Sequence, residues 1–148
     1  MTSENPSPNV PDYVFGTDEK FSLLHSWSEL YIAIHAALKQ FPKRDSHGIG
    51  RRIEETALNM LEYLILASKK DDEQRINLLD KLDRELVKEK ILVRLSNRVK
   101  AMSDNSYIDI EKRIIEMGKM IGGWIKDEKG KIAENKKKIE QMYLIPNH

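Results

Sequence analysis

The sequence has no cysteine and few residues that interrupt helices, with only seven glycines and five prolines among its 148 residues. The absence of cysteine excludes disulfides, zinc–thiolate sites and cysteine nucleophiles. An excess of positive charge is missing as well, since 25 lysines and arginines face 24 aspartates and glutamates. Net charge alone therefore gives no reason to expect a nucleic acid as a partner.

Long apolar runs are also missing. No stretch approaches the roughly 20 apolar residues of a membrane span, and the first residues lack the basic and then apolar pattern of a signal peptide. We therefore expect a soluble, cytoplasmic protein with no membrane partner. With 40% apolar residues, a chain of this length can build one domain with a real core.

Motifs of catalysis and of cofactor binding are absent too. No glutamate stands three residues before a histidine, as diiron bundles require, and no HExxH motif, phosphate loop, dinucleotide fingerprint or nucleophile elbow occurs. His25, His35 and His47 are scattered, without the spacing of zinc ligands. We predict that the chain is not an enzyme and has no catalytic residue, metal, cofactor or small-molecule substrate.

What the sequence does contain is helical periodicity. Apolar residues recur three and four positions apart in four segments, and the alternation typical of strands occurs nowhere. The segments run over about residues 18–41, 47–69, 71–102 and 103–127. Short turns between them predict an all-α fold, an up-down four-helix bundle over residues 18–127.

Both ends of the chain differ in composition from the bundle. Residues 1–17 contain three prolines and little apolar surface, so we expect a disordered tail. Residues 128–148 form a basic C-terminal extension with two alternatives. Gly130 can interrupt the fourth helix, or Ile132, Ile139 and Tyr143 can continue its apolar face.

The second and third segments indicate which helix faces are covered. Nearly every residue between Leu58 and Ala67 is apolar, so this helix must be covered on more than one side and is expected to face a neighbouring subunit. In the third segment, the residues expected to point inward are Ile76, Leu79, Leu82, Leu86, Val93, Leu95 and Val99.

Three glycines stand in the fourth segment, in the stretch MGKMIGGWIK (residues 117–126). Each glycine should cost about 1 kcal/mol relative to alanine inside a helix. The usual reason for such glycines is the close approach of another backbone. We therefore predict a helix-packing site at Gly118, Gly122 and Gly123, with Trp124 filling the space beside them.

Basic residues are clustered in parts of the chain although the net charge is near zero. Residues 43–52 hold four bases against one acid, and residues 88–100 hold five against one. Lys90, Arg94 and Arg98 step by four residues and form a cationic row on one helix face. The row is either a phosphate-contacting surface or a solvated face partly paired with Glu89 and its neighbours.

Three stretches carry a family resemblance, FPKRDSHGIGRRIE (residues 41–54), ILVRLSNR (residues 91–98) and SDNSYIDIEKRIIEMGKMIGGWIK (residues 103–126). Together they resemble the four-helix-bundle family that includes the accessory variability determinant of diversity-generating retroelements. The same family includes proteins encoded in intervening sequences of bacterial large-subunit ribosomal RNA genes. The resemblance covers roughly residues 20–127.

The resemblance implies a non-enzymatic bundle that assembles into a ring-like homopentamer. It also implies a basic surface that binds the retroelement's reverse transcriptase together with RNA or its cDNA, and so supports error-prone reverse transcription of a template RNA. By their charge and position, the candidate contact residues are Lys43, Arg51, Arg52, Lys90, Arg94 and Arg98.

A second function is compatible with the same sequence. The chain can be an interaction or scaffold bundle without a nucleic-acid role, like the relatives encoded within ribosomal RNA genes. The near-neutral charge favours this alternative.

Overall fold

The fold is built from helices, and a computed structural model describes residues 19–144 of the chain. The predicted tail, residues 1–17, lies outside the described residues. The helices are α1 (Glu19–Leu38), α2 (Lys43–His47), α3 (Ile49–Lys69), α4 (Asp72–Arg98) and α5 (Asp104–Leu144). No strand occurs among residues 19–144, so the all-α prediction is confirmed.

The four long helices form an up-down bundle, as predicted. Helix α1 packs against α3 and α5, and α4 packs against the same two helices from the other side. Two contacts show that α1 and α3 are antiparallel. The Trp27 indole N–H donates to the carbonyl of Ala57 at 2.9 Å, and the Tyr31 hydroxyl, one turn later in α1, donates to Glu54, about one turn earlier in α3. The single turn α2 belongs to the connection between α1 and α3 and was not predicted as a separate helix.

The core is a seam of residues spaced alternately three and four apart on α4 and α5. On α4 the buried residues are Arg75, Leu79, Leu82, Leu86, Glu89, Val93 and Ser96. On α5 they are Ile110, Ile114, Met117, Ile121, Trp124 and Glu128. This spacing keeps each helix's apolar face turned toward its neighbours over its whole buried length.

The inward positions predicted for Leu95 and Val99 are wrong. These side chains are 45% and 60% exposed. The seam passes through Val93 and Ser96, and a residue two positions from Val93 lies about 200° around the helix. With Val87 and Ile91, which are also exposed, they form an aliphatic row on the outer face of α4.

One of the two alternatives for the cationic row paired it partly with Glu89, and that pairing does not occur. The side chain of Glu89 is fully buried in the seam, and neither carboxylate oxygen has a hydrogen-bond partner. Burial, and then the nearby charge of Glu85, raises the pKa of Glu89 to about 9. The carboxyl group is therefore neutral at physiological pH, which avoids placing an unpaired charge in the core.

A second buried acid of the seam is fully paired. The Arg75 guanidinium donates to Glu128 Oε1 at 3.0 Å and to the carbonyl of Ala67 at 2.9 Å. The backbone N–H of Asp72 donates to the other Glu128 oxygen at 2.9 Å. Arg75 also lies over the ring of Trp124, 5.2 Å from its centroid. This cluster joins the end of α3, the start of α4 and the middle of α5.

Among residues 19–144, nothing makes the close approach predicted at the glycines of α5. An added Cβ at Gly122 or Gly123 would meet no atom within 4 Å, and one at Gly118 would make only an ordinary contact, 3.5 Å from Leu86 Cδ2. Trp124 is buried, as expected, but it packs in the core beside Arg75. The spacing of Gly118, Gly122 and Gly123 in the sequence therefore does not show which part of a protein packs against this side of α5.

Gly50, near the start of α3, is the glycine that a close approach requires. A Cβ there would lie 3.0 Å from the carbonyl oxygen of Asp45 and 3.3 Å from side-chain carbons of Leu38 and Phe41. Because Gly50 has no side chain, α2 can pack against the first turn of α3. The end of α1 is thereby held close to the start of α3.

Part of the aliphatic surface of α3 is exposed in the part of the chain that the structure describes. Leu58 and Ile65, two turns apart on one side, are 43% and 39% exposed, and Leu66 is 43% exposed. The subunit contact expected for this helix therefore stays a prediction.

Helix α5 is continuous to Leu144, so Gly130 does not interrupt it. The bundle's α5 and the described part of the C-terminal extension are one rod. Among residues 19–144, no helix combines the length and apolar character needed to cross a membrane.

We expect Glu89→Met to remove a pH dependence of stability. The folded pKa of Glu89 is raised above its unfolded value, so the unfolded chain releases the proton first as pH rises. Between about pH 5 and pH 8 the wild-type free energy of unfolding should fall by about 1.4 kcal/mol per pH unit through this group. Denaturant unfolding of Glu89→Met should lack that decline and show its largest gain at pH 8. The exposed Glu116→Gln is the control, and an unchanged slope in Glu89→Met would contradict the assignment.

Two glycine-to-alanine substitutions should have opposite effects. Gly50→Ala must displace backbone and side chains and should lower the free energy of unfolding by ~1–3 kcal/mol. Gly122→Ala meets open space and should raise it by up to ~1 kcal/mol through helix propensity. Denaturant unfolding of the two variants checks both signs. A loss of stability in Gly122→Ala would instead show that another copy of the chain packs on this face.

Candidate nucleic-acid and partner surface

The corner where α1 ends and α3 begins gathers positive charge. Phe41, three residues after the end of α1, is buried, and Pro42 precedes the single turn α2. Together with the close approach at Gly50, this turn brings three chain segments around one open cavity of about 380 Å³. The residues that line it are His35, Leu38, Lys39, Ser46, His47, Gly50, Arg51 and Glu54.

Four cations belong to this corner, and we call them the corner cluster: Lys39, Lys43, Arg44 and Arg51. All four side chains are exposed. Within residues 19–144, none of them forms an ion pair. The corner therefore presents cationic groups that an anionic ligand can contact without breaking an existing salt bridge.

The one acidic residue that lines the cavity, Glu54, is already hydrogen-bonded. Glu54 accepts a hydrogen bond from the Tyr31 hydroxyl at 3.0 Å. Burial, with Glu54 beside it, raises the pKa of Tyr31, so the phenol stays protonated. Tyr31 stacks between Trp27 and His35, at centroid distances of 5.3 and 6.1 Å. This stack holds one wall of the cavity in place.

The cationic row of α4 lies on a different side of the bundle. Arg94 pairs with Glu111 of α5 at 3.5 Å, and the Tyr107 hydroxyl donates to the same carboxylate oxygen at 2.8 Å. Contacts with Tyr107 and then Glu111 raise the pKa of Arg94, so it remains charged. Lys90 is half-buried and Arg98 is exposed. The cationic row of α4 therefore lies on the side of α4 that faces α5, and its central residue, Arg94, is already paired with Glu111.

Arg52 belongs to neither group. It lies two turns before Asn59, whose amide donates to Glu85 of α4 at 3.3 Å, so it is on the α4 side of α3. Its guanidinium lies 3.8 Å from Glu55, a loose and exposed pair. The six predicted residues therefore do not form one patch. Lys43 and Arg51 meet at the corner, while Lys90, Arg94 and Arg98 line the α4–α5 side.

Exposed aliphatic residues border the cationic row. The aliphatic row on the outer face of α4 lies about 100° around the helix from the cationic row, because Ile91 follows Lys90 and Leu95 follows Arg94. On α5, Ile108 and Ile115 are 56% and 43% exposed. A surface that exposes this much aliphatic side chain is typical of a protein–protein contact.

Lys39, His35 and His47 were missed as members of the corner. Lys39 and His35 belong to the last turns of α1 and His47 to α2, and only the return of the chain at Gly50 brings them to Arg51. Arg44 was visible within the basic run of residues 43–52. No sequence spacing links His35 or Lys39 to that run.

The described part of the chain holds no arrangement typical of an enzyme's metal centre. No group of three or more histidine, aspartate or glutamate side chains within residues 19–144 could hold a metal ion. The cavities at the corner and elsewhere are open grooves along helix edges. What the surface offers is charge and apolar area for binding.

Comparison with known proteins gives one family. No protein in the curated set matches the chain. The model of the bAvd-like family matches residues 21–128, which span the whole bundle from α1 to the Arg75–Glu128 cluster. The resemblance identified from the sequence motifs is confirmed, and the chain belongs to the bAvd-like family.

Proposed function

We propose that the chain is a non-catalytic accessory protein of a diversity-generating retroelement. In this function it binds the element's reverse transcriptase and template RNA, or the cDNA copied from it, in the cytoplasm and supports mutagenic reverse transcription. Membership of the bAvd-like family supports the accessory function. The observation that carries the nucleic-acid part is the corner cluster, four exposed cations without ion pairs among residues 19–144.

The two charged surfaces suit different partners. Cations that neutralise phosphates release the counterions condensed on the nucleic acid, and the corner cluster supplies cations that have no ion pair among residues 19–144. The α4–α5 side offers aliphatic residues beside Lys90 and Arg98, with Arg94 held by Glu111. That combination fits a protein surface, and we assign it to the reverse transcriptase.

Assembly into a ring-like homopentamer is part of the proposal. The exposed side of α3, with Leu58 and Ile65, supports a subunit contact there. Covering such aliphatic side chains stabilises an assembly by about 25 cal/mol per Å² of apolar area removed from water. Exposed aliphatic residues occur on α3, α4 and α5 of this one small bundle, which is more exposed apolar surface than a monomeric protein normally has.

An interaction bundle without a nucleic-acid role is the alternative. It is favoured by the near balance of 25 basic and 24 acidic residues. A reverse-transcriptase gene with template and variable repeats beside the chain's gene would favour the retroelement function, and their absence would favour the alternative.

Charge reversal at the corner should weaken RNA binding. Lys39→Glu/Arg51→Glu removes two cations that face one cavity, so affinity for a structured RNA should fall. The slope of log affinity against log salt should become shallower by about two. Fluorescence anisotropy at several salt concentrations measures both. Arg94→Glu/Arg98→Glu should have a smaller effect on RNA, because Arg94 is already paired.

The matched control is Lys119→Glu/Lys126→Glu, which makes the same charge change on exposed positions of α5. Equal losses in the corner variant and this control would show a response to net charge alone. Unchanged RNA affinity in the corner variant would refute the corner as the nucleic-acid site.

Loss of the aliphatic row on α3 should dissociate the assembly. Leu58→Glu/Ile65→Glu places two charges where a neighbouring subunit is expected, while both sites are exposed in the single chain. Light scattering at micromolar concentration should show a stable oligomer for wild type and a folded monomer for the variant. Ile32→Glu, on the exposed side of α1, is the control. A monomeric wild type would refute the assembly, and an assembled variant would refute the α3 contact.

A further inference from the structure

The corner cavity is bordered by a stack of aromatic rings as well as by cations. Four side chains of α1 follow one another at intervals of four residues: Trp27, Tyr31, His35 and Lys39. This spacing places them on one side of the helix. The first three rings stack in order, with interplanar angles of 20° and 27°. Trp27 is buried and His35 is exposed, so the stack begins in the core and ends at the surface.

Helix α3 runs beside this row in the opposite direction and places charge at known levels along it. The Tyr31 hydroxyl donates to Glu54. One turn further along α1 corresponds to about one turn back along α3, so His35 lies close to the level of Arg51. Glu54, His35, Lys39 and Arg51 all line the same cavity. The acid of the cavity is therefore beside Tyr31, and the cations are beside His35 and beyond it.

The His35 ring has one face covered by the stack and one face turned away from it. The covered face lies toward Tyr31, with 6.1 Å between the ring centroids. The other face lies toward the next turn of α1, where Lys39 stands. Among the side chains that the structure describes, no further ring stacks on His35. The stack therefore offers one aromatic face, close to cations, to a ligand in the cavity.

A nucleotide with an unpaired base has the two groups that this arrangement suits. Its base stacks on an aromatic side chain whatever the sequence, and its phosphate accepts hydrogen bonds from ammonium and guanidinium groups. In a duplex the faces of each base are covered by the neighbouring base pairs, so His35 could not reach them. The cavity volume of about 380 Å³ lies within the range of about 300–1,000 Å³ that is usual for sites of small organic groups.

We propose that the corner cavity binds one unpaired nucleotide of a single-stranded segment, with its base stacked on His35 and its phosphate contacted by Lys39 and Arg51. This inference rests on the proposed function, because it specifies the form of nucleic acid that the corner cluster binds. The other two cations of the cluster, Lys43 and Arg44, extend the contact to neighbouring phosphates. Template RNA and cDNA share the groups that are recognised, since neither stacking nor phosphate contact uses the 2′-hydroxyl.

Substitution of His35 tests the stacking contact. Fluorescence anisotropy with the full-length protein compares a strand of about 12 nucleotides, without self-complementarity, with the same strand annealed to its complement. His35→Ala should lower the affinity for the single strand by at least about fivefold, because one base loses its stacking partner. Its affinity for the duplex should change by less than about twofold. His35 is exposed, so the substitution should leave the fold intact.

Two further variants separate the ring from its charge. His35→Trp keeps an aromatic face and should retain the ratio of single-strand to duplex affinity or raise it. His35→Lys supplies positive charge without a ring, so its ratio should fall as in His35→Ala. The matched control is His25→Ala, which removes an exposed histidine of the same helix that does not line the corner cavity. That control should leave the ratio unchanged.

The strand is tested as RNA and as DNA of the same sequence. A loss in His35→Ala on the RNA strand alone would assign the site to the template, and a loss on both strands would assign it to template and cDNA alike. Either result supports the proposal. An unchanged ratio of single-strand to duplex affinity in His35→Ala, or an equal fall in His25→Ala, would overturn it.

The charge reversal Lys39→Glu/Arg51→Glu distinguishes failure of this inference from failure of the proposed function. If the reversal weakens RNA binding while His35→Ala leaves the ratio unchanged, the corner remains the nucleic-acid site and only the single-strand assignment is wrong. If the reversal leaves RNA affinity unchanged, the corner is not the nucleic-acid site and both proposals fail there.

Discussion

The Arg75–Glu128 pair fixes how one end of this bundle is built, where α3 ends and α4 begins. A buried ion pair stabilises a fold only when additional hydrogen bonds replace the water that both charges lose. Here the carbonyl of Ala67 and the backbone N–H of Asp72 supply them, and Trp124 lies beside the guanidinium. Burial alone would raise the pKa of Glu128, but the Asp72 N–H and Arg75 hold it below its usual value. One cluster thereby joins three helices at the level from which α5 continues to Leu144.

Glu89 and Glu128 show how environment decides the state of an acid at similar seam positions. Glu128 is charged because its partners are arranged around it. Glu89 has no partner and lies among apolar residues, which raises its pKa to about 9. The first acid specifies a contact between particular helices. The second lowers stability at neutral pH and gives the bundle a pH dependence that its composition does not reveal.

Charge is divided between different parts of the bundle surface. Although the chain is nearly neutral, the cations at the α1–α3 corner form no ion pair among residues 19–144, and several acids lie near the start of α4 instead. The α4–α5 side combines cations with exposed aliphatic residues such as Ile91 and Ile115. The surface proposed for nucleic acid and the surface proposed for a protein partner are therefore separate on one small bundle.

The sequence by itself determined the four helices, the up-down order, the absence of thiol chemistry and the family, because periodicity and motifs are local properties of the chain. The periodicity of the sequence predicted which residues share a face of each helix. It did not predict which neighbouring helix or solvent that face meets. Tertiary packing decided what each face meets. It buried Glu89 in the core and made residue 50 a position where only glycine fits without displacing its neighbours. No atom of residues 19–144 lies near an added Cβ at Gly122. Packing also brought Lys39 and Arg51 to one cavity, which Arg94 does not line. The rotation of each helix about its axis depends on all its neighbours at once, and no single segment encodes it.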